Sequence, residues 1–229
     1  MPVNKENYLS IKKELDEKQV TLVAVSKTKP VADILELYHL GQRDFGENYV
    51  QELSDKALQL PSDIRWHFIG HLQTNKVKLI TSFVQLIHGV DSLKLLKEIN
   101  KEADKNKKII DCLLQVHIAK EETKFGLDED ELMSIINETD NKKMSHIKIA
   151  GLMGMASFTE DIELVRNEFQ KLKTLFDRLF IYGNIPDKTW PAQYRLPALS
   201  MGMSSDYRLA VEEGSTMVRI GSLLFGGRV

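Results

Sequence analysis

The chain has 229 residues, enough to bury a substantial core, and it fits one large domain over residues 1–229 better than two small ones. Its formal charge of −2, with both signs mixed along the sequence, excludes the basic face that nucleic-acid binding requires. No apolar run approaches the ~20 residues that span a bilayer. Cys112 is the only cysteine, which excludes an internal disulfide and favours a reducing, cytoplasmic setting. We therefore expect a cytoplasmic protein that binds neither membrane nor nucleic acid.

Short apolar runs alternate with amphipathic segments along the chain. A charged, helix-forming segment comes first, without the apolar stretch of a secretory signal, and predicts an extra helix that includes Tyr8–Leu15. The predicted strands are Thr21–Lys27, Asp44–Glu47, Trp66–Gly70, Phe83–Val90, Cys112–Ile118, Ile147–Met153, Arg195–Ser200 and Met217–Phe225. The predicted helices between them are Val31–Leu40, Tyr49–Gln59, Leu93–Asn106, Glu129–Glu138, Ile162–Phe180 and Ser205–Glu213. The segment Tyr182–Tyr194, with a glycine and two prolines, predicts a surface loop.

This order of elements predicts an α/β protein. Several strands are apolar without alternation, as parallel strands covered on both faces are. Alternation of eight such strands with helices at this length predicts a (β/α)8 TIM barrel, with the N-terminal helix plugging or flanking it. An open doubly wound sheet is the alternative, because strand order cannot be read from one sequence. The barrel is favoured because the chemically informative residues follow strand ends, which converge on one mouth in a barrel.

Lys27 is the first of these residues. It follows the apolar run Val23–Ser26, and Pro30 places a turn at Lys27–Lys29. An amine that reacts with an aldehyde must have its charged form disfavoured by desolvation or by a nearby cation. A strand-end lysine that leans into a barrel mouth meets this requirement. By itself, however, a solvated strand-end lysine is the simpler interpretation.

A phosphate site is predicted from two pieces near the C-terminus. Ser204 is predicted to be the N-cap of the helix Ser205–Glu213, and Gly202 permits close approach of a ligand. Gly221 and Ser222 offer two N–H groups and a hydroxyl after the last predicted strand. Both pieces follow strands seven and eight, where barrels of this type recurrently bind phosphate. The alternative is an ordinary helix cap and an ordinary glycine turn, and an acidic Asp206 opposes an anion there unless it points away.

Arg219 lies two residues before Gly221, so strand alternation directs both toward the barrel mouth. A buried arginine keeps its charge and must be paired or bind a ligand. Facing a pyridine nitrogen it can only donate, which leaves the ring unprotonated and weakens the ring as an electron sink. A structural ion pair with Glu47 or Glu213 is the alternative. Together, the lysine, the phosphate cradle and the ring partner point to pyridoxal 5'-phosphate (PLP).

With these residues assembled, the chain closely resembles the pyridoxal phosphate homeostasis protein family over nearly its whole length. The matching segments are Val23–Lys27, Phe45–Glu52, Trp66–Lys76, Lys124–Gly126, Gly151–Met155, Leu199–Asp206 and Gly214–Gly226. Members of this family are single-domain proteins similar to the N-terminal barrel of alanine racemase. The resemblance implies a protein that binds PLP without established turnover and takes part in intracellular vitamin B6 homeostasis. It suggests PLP-dependent apo-enzymes as partners.

The resemblance also implies roles for individual residues. Lys27 would hold PLP as an internal aldimine, and Arg219 would face the pyridine nitrogen with support from Ser200. Asn48 would line the pocket. The residues implied at the phosphate are Met203 (through its backbone), Ser204, Gly221 and Ser222. No catalytic residue and no metal ligand are implied.

The competing function is a PLP-dependent amino-acid racemase. Two-base racemisation needs a second acid or base on the opposite ring face. In alanine racemase this group is a tyrosine from a C-terminal β domain across a dimer. The sequence ends at Val229 without such a domain, so we expect a non-catalytic monomer. An unrelated phosphate-binding barrel is a third alternative.

Other polar residues receive structural interpretations. His67 and His71 are four apart, but His71 follows the strand-ending Gly70 and no third ligand is apparent, so packing or pocket lining is expected. Glu47 is expected to be a salt-bridge partner rather than a base. The segment Asn75–Lys78 is expected to be solvated surface, with a second anion site as the alternative.

Overall fold

The computed structural model describes residues 3–121, 125–140, 144–182 and 197–227. Eight parallel strands close into a barrel in sequence order, and the last strand pairs with the first. The strands are β1 (Thr21–Val25), β2 (Asp44–Glu47), β3 (Arg65–Phe68), β4 (Leu86–Val90), β5 (Ile110–Gln115), β6 (Ile147–Met153), β7 (Ala198–Ser200) and β8 (Met217–Ile220). The predicted (β/α)8 barrel is confirmed, and the open doubly wound sheet is excluded.

The helices surround the barrel and follow most strands. They are α1 (Lys5–Glu17), α2 (Val31–His39), α3 (Val50–Ala57), α4 (Leu93–Lys105), α5 (Glu129–Asp140), α6 (Ile162–Phe176), α7 (Tyr207–Glu212) and α8 (Ser222–Phe225). A 3₁₀ helix, Thr74–Leu79, connects β3 to β4, and a π-helical segment, Asp177–Ile181, extends α6. Within the described ranges no helix is long and apolar enough to cross a membrane.

The extra N-terminal helix is present as α1 and flanks the barrel. The Asn4 side chain caps it by accepting from the Asn7 N–H, and its apolar residues Tyr8, Ile11 and Leu15 are buried. The Asn4 N–H in turn donates to the Leu224 carbonyl at 2.8 Å, which ties α1 to α8. The N-terminal segment therefore supports the last βα unit of the barrel.

Two predictions near the C-terminus are wrong. The strand predicted over Met217–Phe225 ends at Ile220, because the chain turns at Gly221 into α8. The helix predicted from Ser205 begins at Tyr207 with Asp206 at its N-cap, so Ser204 is not the cap. Three predicted features lie partly or wholly outside the described residues: the loop over positions 183–194, Arg195 and Leu196 in the seventh strand, and Lys124 in a matching segment.

The core has two layers. Apolar side chains of the barrel interior form a small inner cluster that includes Val23, Leu86, Leu113 and Met217. A larger cluster fills the space between the strands and the helices. Strand alternation sorts residues between the two layers, so Arg219 shares the inner face with Met217. The interior also encloses polar side chains, among them His88 and Ser200, which meet across the barrel.

Candidate functional site at the barrel mouth

The residues predicted to form a site follow the carboxyl ends of different strands. Lys27 follows β1, Asn48 follows β2, Ser204 follows β7, and Gly221 and Ser222 follow β8. Since all eight strands are parallel in a closed barrel, these ends share one mouth. The structure thus brings together the elements that carry the lysine, the predicted phosphate cradle and the arginine.

Lys27 lies in a tight turn at this mouth and is half-buried. The Ser26 N–H donates to the Gly46 carbonyl at 3.0 Å, which continues the pairing of β1 with β2. The Lys29 N–H then donates back to the Ser26 carbonyl at 3.0 Å, and Thr28 takes a left-handed φ of 64°. Alternation from Val23 and Val25 directs Lys27 inward. The turn therefore fixes the backbone on both sides of the lysine.

A buried ion-pair cluster supports this turn from the helical layer. Lys56 on α3 donates to the Ser26 carbonyl at 2.7 Å, to Glu47 Oε1 at 2.7 Å and to Glu52 Oε1 at 2.6 Å. Glu52 also accepts from the Thr28 N–H at 2.6 Å. Burial raises the pKa of Glu47, although Lys56 and Ser26 counteract the rise. The expectation that Glu47 is a salt-bridge partner is confirmed.

The predicted phosphate cradle has a different internal structure from that expected. Ser204 Oγ accepts from the Gly221 N–H at 3.2 Å and so joins the two halves of the cradle. The Met203 N–H donates to Asp206 Oδ1 at 2.6 Å. This bond explains why an acidic residue lies beside the cradle, and it uses the Met203 N–H. Helix α8 begins at Ser222, and the first N–H groups of a helix have no acceptor within the helix. The described contacts therefore leave the α8 N-terminus as the donor end of the cradle.

Val25 and Lys29 border the two ends of the segment that carries the cradle. A Cβ at Gly221 would meet the Val25 side chain and carbonyl at 3.3 Å, so the β8 end lies close against β1. Lys29 Nζ donates to the Phe225 carbonyl at 2.9 Å at the other end of α8. The positive charge there satisfies a carbonyl that the short helix leaves unpaired. These contacts give Lys29 a structural role at the C-terminal end of α8.

Arg219 is buried beneath the mouth. Its Nη1 donates to the Ser200 carbonyl at 2.9 Å and to Ser200 Oγ at 2.6 Å, and its Nη2 donates to the Gly154 carbonyl at 3.1 Å. The predicted support by Ser200 is confirmed. Burial lowers the pKa of Arg219 to about 10, with Asp206 counteracting, so the guanidinium stays charged at neutral pH. These contacts use three of its five N–H groups.

The alternative prediction for Arg219, a structural ion pair with Glu47 or Glu213, is wrong. Glu47 pairs with Lys56, and Glu213 pairs with Arg166. The contacts that Arg219 makes with described residues go to two carbonyls and one hydroxyl, all of them neutral acceptors. Arg219 is thus a buried cation that contacts no carboxylate among the described residues and still has N–H groups to donate. Such a group suits a ligand that accepts hydrogen bonds.

The histidines of the motif Trp66–His71 separate. His67 points into the barrel and contacts Asp44 and His88, whereas His71 lies at the mouth. The His71 ring stacks on Phe125 with centroids 4.3 Å apart, and its Nδ1 lies 3.0 Å from Asp91 Oδ2. No signal singled out His88 or Lys56 in the sequence; only the strand order of the closed barrel reveals them.

Comparison with known proteins gives these features a family. Residues 4–229 match the family model described as the alanine racemase N-terminal domain. The pyridoxal phosphate homeostasis protein of Aquifex aeolicus (strain VF5) is 43% identical over 208 residues, which are 90% of this chain and 86% of that protein. The chain belongs to the pyridoxal phosphate homeostasis protein family. The Homo sapiens protein of the same name is 41% identical over 227 residues, covering 94% of this chain and 79% of that one.

Solved structures agree with this membership. The structure of PipY of Synechococcus elongatus PCC7942, with PLP bound, has a TM-score of 0.82 at 36% identity. The match covers 96% of this chain and 99% of PipY. Alanine racemase from Bartonella henselae, with covalently bound pyridoxal phosphate, has a TM-score of 0.68 at 17% identity, over 97% of this chain and 62% of that one. At that identity the likeness shows the barrel fold alone. Both of these curated relatives are named homeostasis proteins.

Proposed function

We propose that this protein binds pyridoxal 5'-phosphate at the barrel mouth and takes part in PLP homeostasis without committed turnover. The observation that carries the proposal is the convergence of Lys27, the cradle of Ser204 and Gly221, and the buried Arg219 at one barrel mouth. The PLP-bound PipY, a relative of nearly the same length, supports the choice of cofactor. PLP supplies an aldehyde that bonds covalently to an amine, and an aromatic ring with a phosphate.

The residues present fit this group. Lys27 supplies the amine, in a turn whose two flanking backbone groups are anchored by Lys56 and Glu52. The N-terminal N–H groups of α8, beside Ser204 and Ser222, suit a phosphate because they combine donors that have no acceptor among the described residues with the positive end of the helix. Met203 lines the cradle in the turn that Asp206 holds. Asn48, directly after β2, borders the same mouth.

Arg219 limits the chemistry of this site. As a permanent donor, Arg219 would favour the unprotonated form of the pyridine nitrogen when PLP is bound, which would weaken the electron withdrawal by the ring that promotes racemisation. This property and the names of the relatives support binding over turnover. The proposal also includes a cytoplasmic monomer that delivers PLP to apo-enzymes. The transfer of PLP from the loaded protein to an apo-enzyme can be measured with the two proteins separated by a dialysis membrane and with the two proteins mixed. Transfer in both cases indicates release of PLP, and transfer only in the mixture indicates delivery by contact.

Titration of the protein with PLP, followed by absorbance, tests the proposal. We expect a new absorption band in the wild type and in Lys101→Ala, which alters an exposed ion pair on α4. The band should be lost in Lys27→Ala, while circular dichroism shows an intact fold. A wild type without a spectral change would contradict PLP binding, and an unchanged Lys27→Ala would remove Lys27 from the site. Interconversion of amino-acid enantiomers by the loaded wild type would favour the racemase alternative.

A further inference from the structure

A continuous row of polar side chains crosses the barrel interior below the mouth. It begins at Arg219 on β8, whose Nη1 donates to Ser200 Oγ on β7 at 2.6 Å. Ser200 Oγ lies 3.1 Å from His88 Nδ1 on β4, so the row spans the barrel. His88 Nε2 lies 3.0 Å from His67 Nδ1 on β3, and His67 Nε2 lies 3.0 Å from Asp44 Oδ1 on β2. All five side chains belong to buried residues, and we refer to them as the polar row.

The two ends of the polar row have fixed roles. Burial would raise the pKa of Asp44, but hydrogen bonds from Arg65 and His67 outweigh burial and lower that pKa to about 2. The carboxylate can therefore only accept, and the nitrogen that faces it, His67 Nε2, must carry a proton. Arg219 at the other end can only donate, so Ser200 Oγ must accept from it.

These ends determine the protons between them. A neutral His67 with its proton on Nε2 presents Nδ1 as an acceptor, so His88 Nε2 must donate. A neutral His88 then presents Nδ1 as an acceptor, which takes the hydroxyl hydrogen of Ser200. Burial lowers the pKa of His88 well below its ordinary value, and the positive charge of Arg219 lowers it further, which favours the neutral ring. Each proton is used once, and every donor points from Arg219 toward Asp44.

The competing arrangement is less favourable. A doubly protonated His67 would donate to both Asp44 and His88, and His88 Nδ1 would then donate to Ser200. This places a second cation in the sealed interior, since His67 is fully buried. It also leaves the Ser200 hydroxyl hydrogen without an acceptor within the polar row. The one-way arrangement satisfies all groups with no additional buried charge.

We propose that Ser200, His88 and His67 are positioning residues that fix Arg219 through a one-way hydrogen-bond chain ending on Asp44. The inference rests on the proposed function, because Arg219 is the residue assigned there to the pyridine nitrogen. Since the Ser200 hydrogen is committed to His88, the lone pairs of Ser200 stay directed at Arg219. The guanidinium is thereby fixed in one orientation, with its remaining N–H groups kept for the cofactor, and Asp44 supplies the distant countercharge.

Nitrogen-15 NMR of the histidine-labelled, cofactor-free wild type tests the direction of the chain. We expect His67 and His88 both to carry their proton on Nε2 and to have an unprotonated Nδ1 at neutral pH. A doubly protonated His67, or a proton on Nδ1 of either ring, overturns the proposal. This measurement needs neither bound PLP nor a substituted protein, so it decides the direction of the chain even if the proposed function fails.

His88→Phe tests the positioning role. The substitution keeps an aromatic ring but removes the partner of Ser200, so the affinity for PLP should fall roughly tenfold to a hundredfold, the range for a lost hydrogen bond to a charged group. The PLP absorption band should also shift, because the donor at the ring nitrogen moves. The matched control is Thr81→Val, which removes a buried hydroxyl bonded to Asn106 outside the barrel interior. It should bind PLP as the wild type does.

The outcomes separate the two proposals. A wild type that fails to bind PLP contradicts the proposed function. A wild type that binds PLP, with His88→Phe equal to it in affinity and spectrum, overturns the positioning role alone. Weaker binding and a shifted band in His88→Phe, with a normal Thr81→Val, support the inference. If His88→Phe does not fold, Ser200→Ala, which removes the hydroxyl between His88 and Arg219, takes its place; wild-type affinity and spectrum in Ser200→Ala would overturn the positioning role.

Discussion

Removal of Lys56 should expose how the Lys27 turn is supported. Lys56→Met deletes a side chain that is only 7% exposed, while its partner Glu47 is 0% exposed. The loss leaves a carboxylate without its countercharge in a site that water cannot reach, which costs about 3–5 kcal/mol. Glu52, whose side chain is 23% exposed, can turn to solvent and should contribute little. We therefore expect the free energy of unfolding to fall by about 3–5 kcal/mol at neutral pH.

A double-mutant cycle identifies Glu47 as the source of this cost. Glu47→Gln combined with Lys56→Met removes the stranded charge, so most of the lost stability should return. The pKa of Glu47 is already raised by burial, and loss of Lys56 raises it further, so the defect of Lys56→Met should shrink as the pH falls through that pKa. Urea unfolding at several pH values measures both effects.

The control for this cycle is Lys12→Met, which breaks an exposed ion pair with Asp16 and should cost at most about 1 kcal/mol. Lys56→Met should also weaken PLP binding, because the Ser26 carbonyl beside Lys27 loses its anchor. A Lys56→Met protein within 1 kcal/mol of the control, or a double variant no more stable than Lys56→Met, would refute the reasoning.

Three other substitutions give independent tests. Arg219→Gln should weaken PLP binding, measured by absorbance titration, because a donor fixed by Ser200 is replaced by a shorter neutral group; wild-type affinity would contradict the assignment. Burial raises the pKa of Asp111 from 3.8 to about 6 against the opposing charge of Lys148, so the ionised form destabilises the fold increasingly as the pH rises through 4 to 6. Asp111→Asn should therefore add up to about 3 kcal/mol of unfolding free energy at pH 8 and almost none at pH 4; a gain that is equal at both pH values would contradict this. Gly151→Ala should cost about 3 kcal/mol or more in urea unfolding, since φ is 150° and the new Cβ would lie 1.8 Å from the Ala198 carbonyl oxygen; a neutral effect would show that β6 and β7 separate easily.

The barrel could be predicted from the sequence because strands buried on both faces give uniform apolar runs. Ile147–Met153 is apolar apart from Lys148, and its predicted and observed bounds coincide. The same signal failed after Ile220, where Leu224 and Phe225 continue the apolar run. Their side chains are buried in the outer layer as part of α8, so hydrophobicity alone could not separate helix from strand there.

The site was predictable to the extent that it follows strand ends. Lys27, Ser204 and Gly221 each occupy the carboxyl end of a strand or the loop after it, and in a closed parallel barrel that position alone directs them to the mouth. Apart from the contact of Ser200 with Arg219, the polar row was not predictable, because His88 and Ser200 meet across the barrel at a sequence separation of 112 residues. A contact of this kind depends on strand order and closure, which no local pattern encodes.

The central claim is that Lys27 is the amine that binds PLP, and borohydride reduction followed by tryptic mapping tests it most directly. Trypsin should cut the untreated protein after Lys27 but not before Pro30, giving peptides 19–27 and 28–43. Reduction of PLP onto Lys27 should block that cut and give one peptide, 19–43, which carries the added mass. An unmodified peptide 19–27, with the label on Lys29 in peptide 28–43 or on any other lysine, would contradict the account.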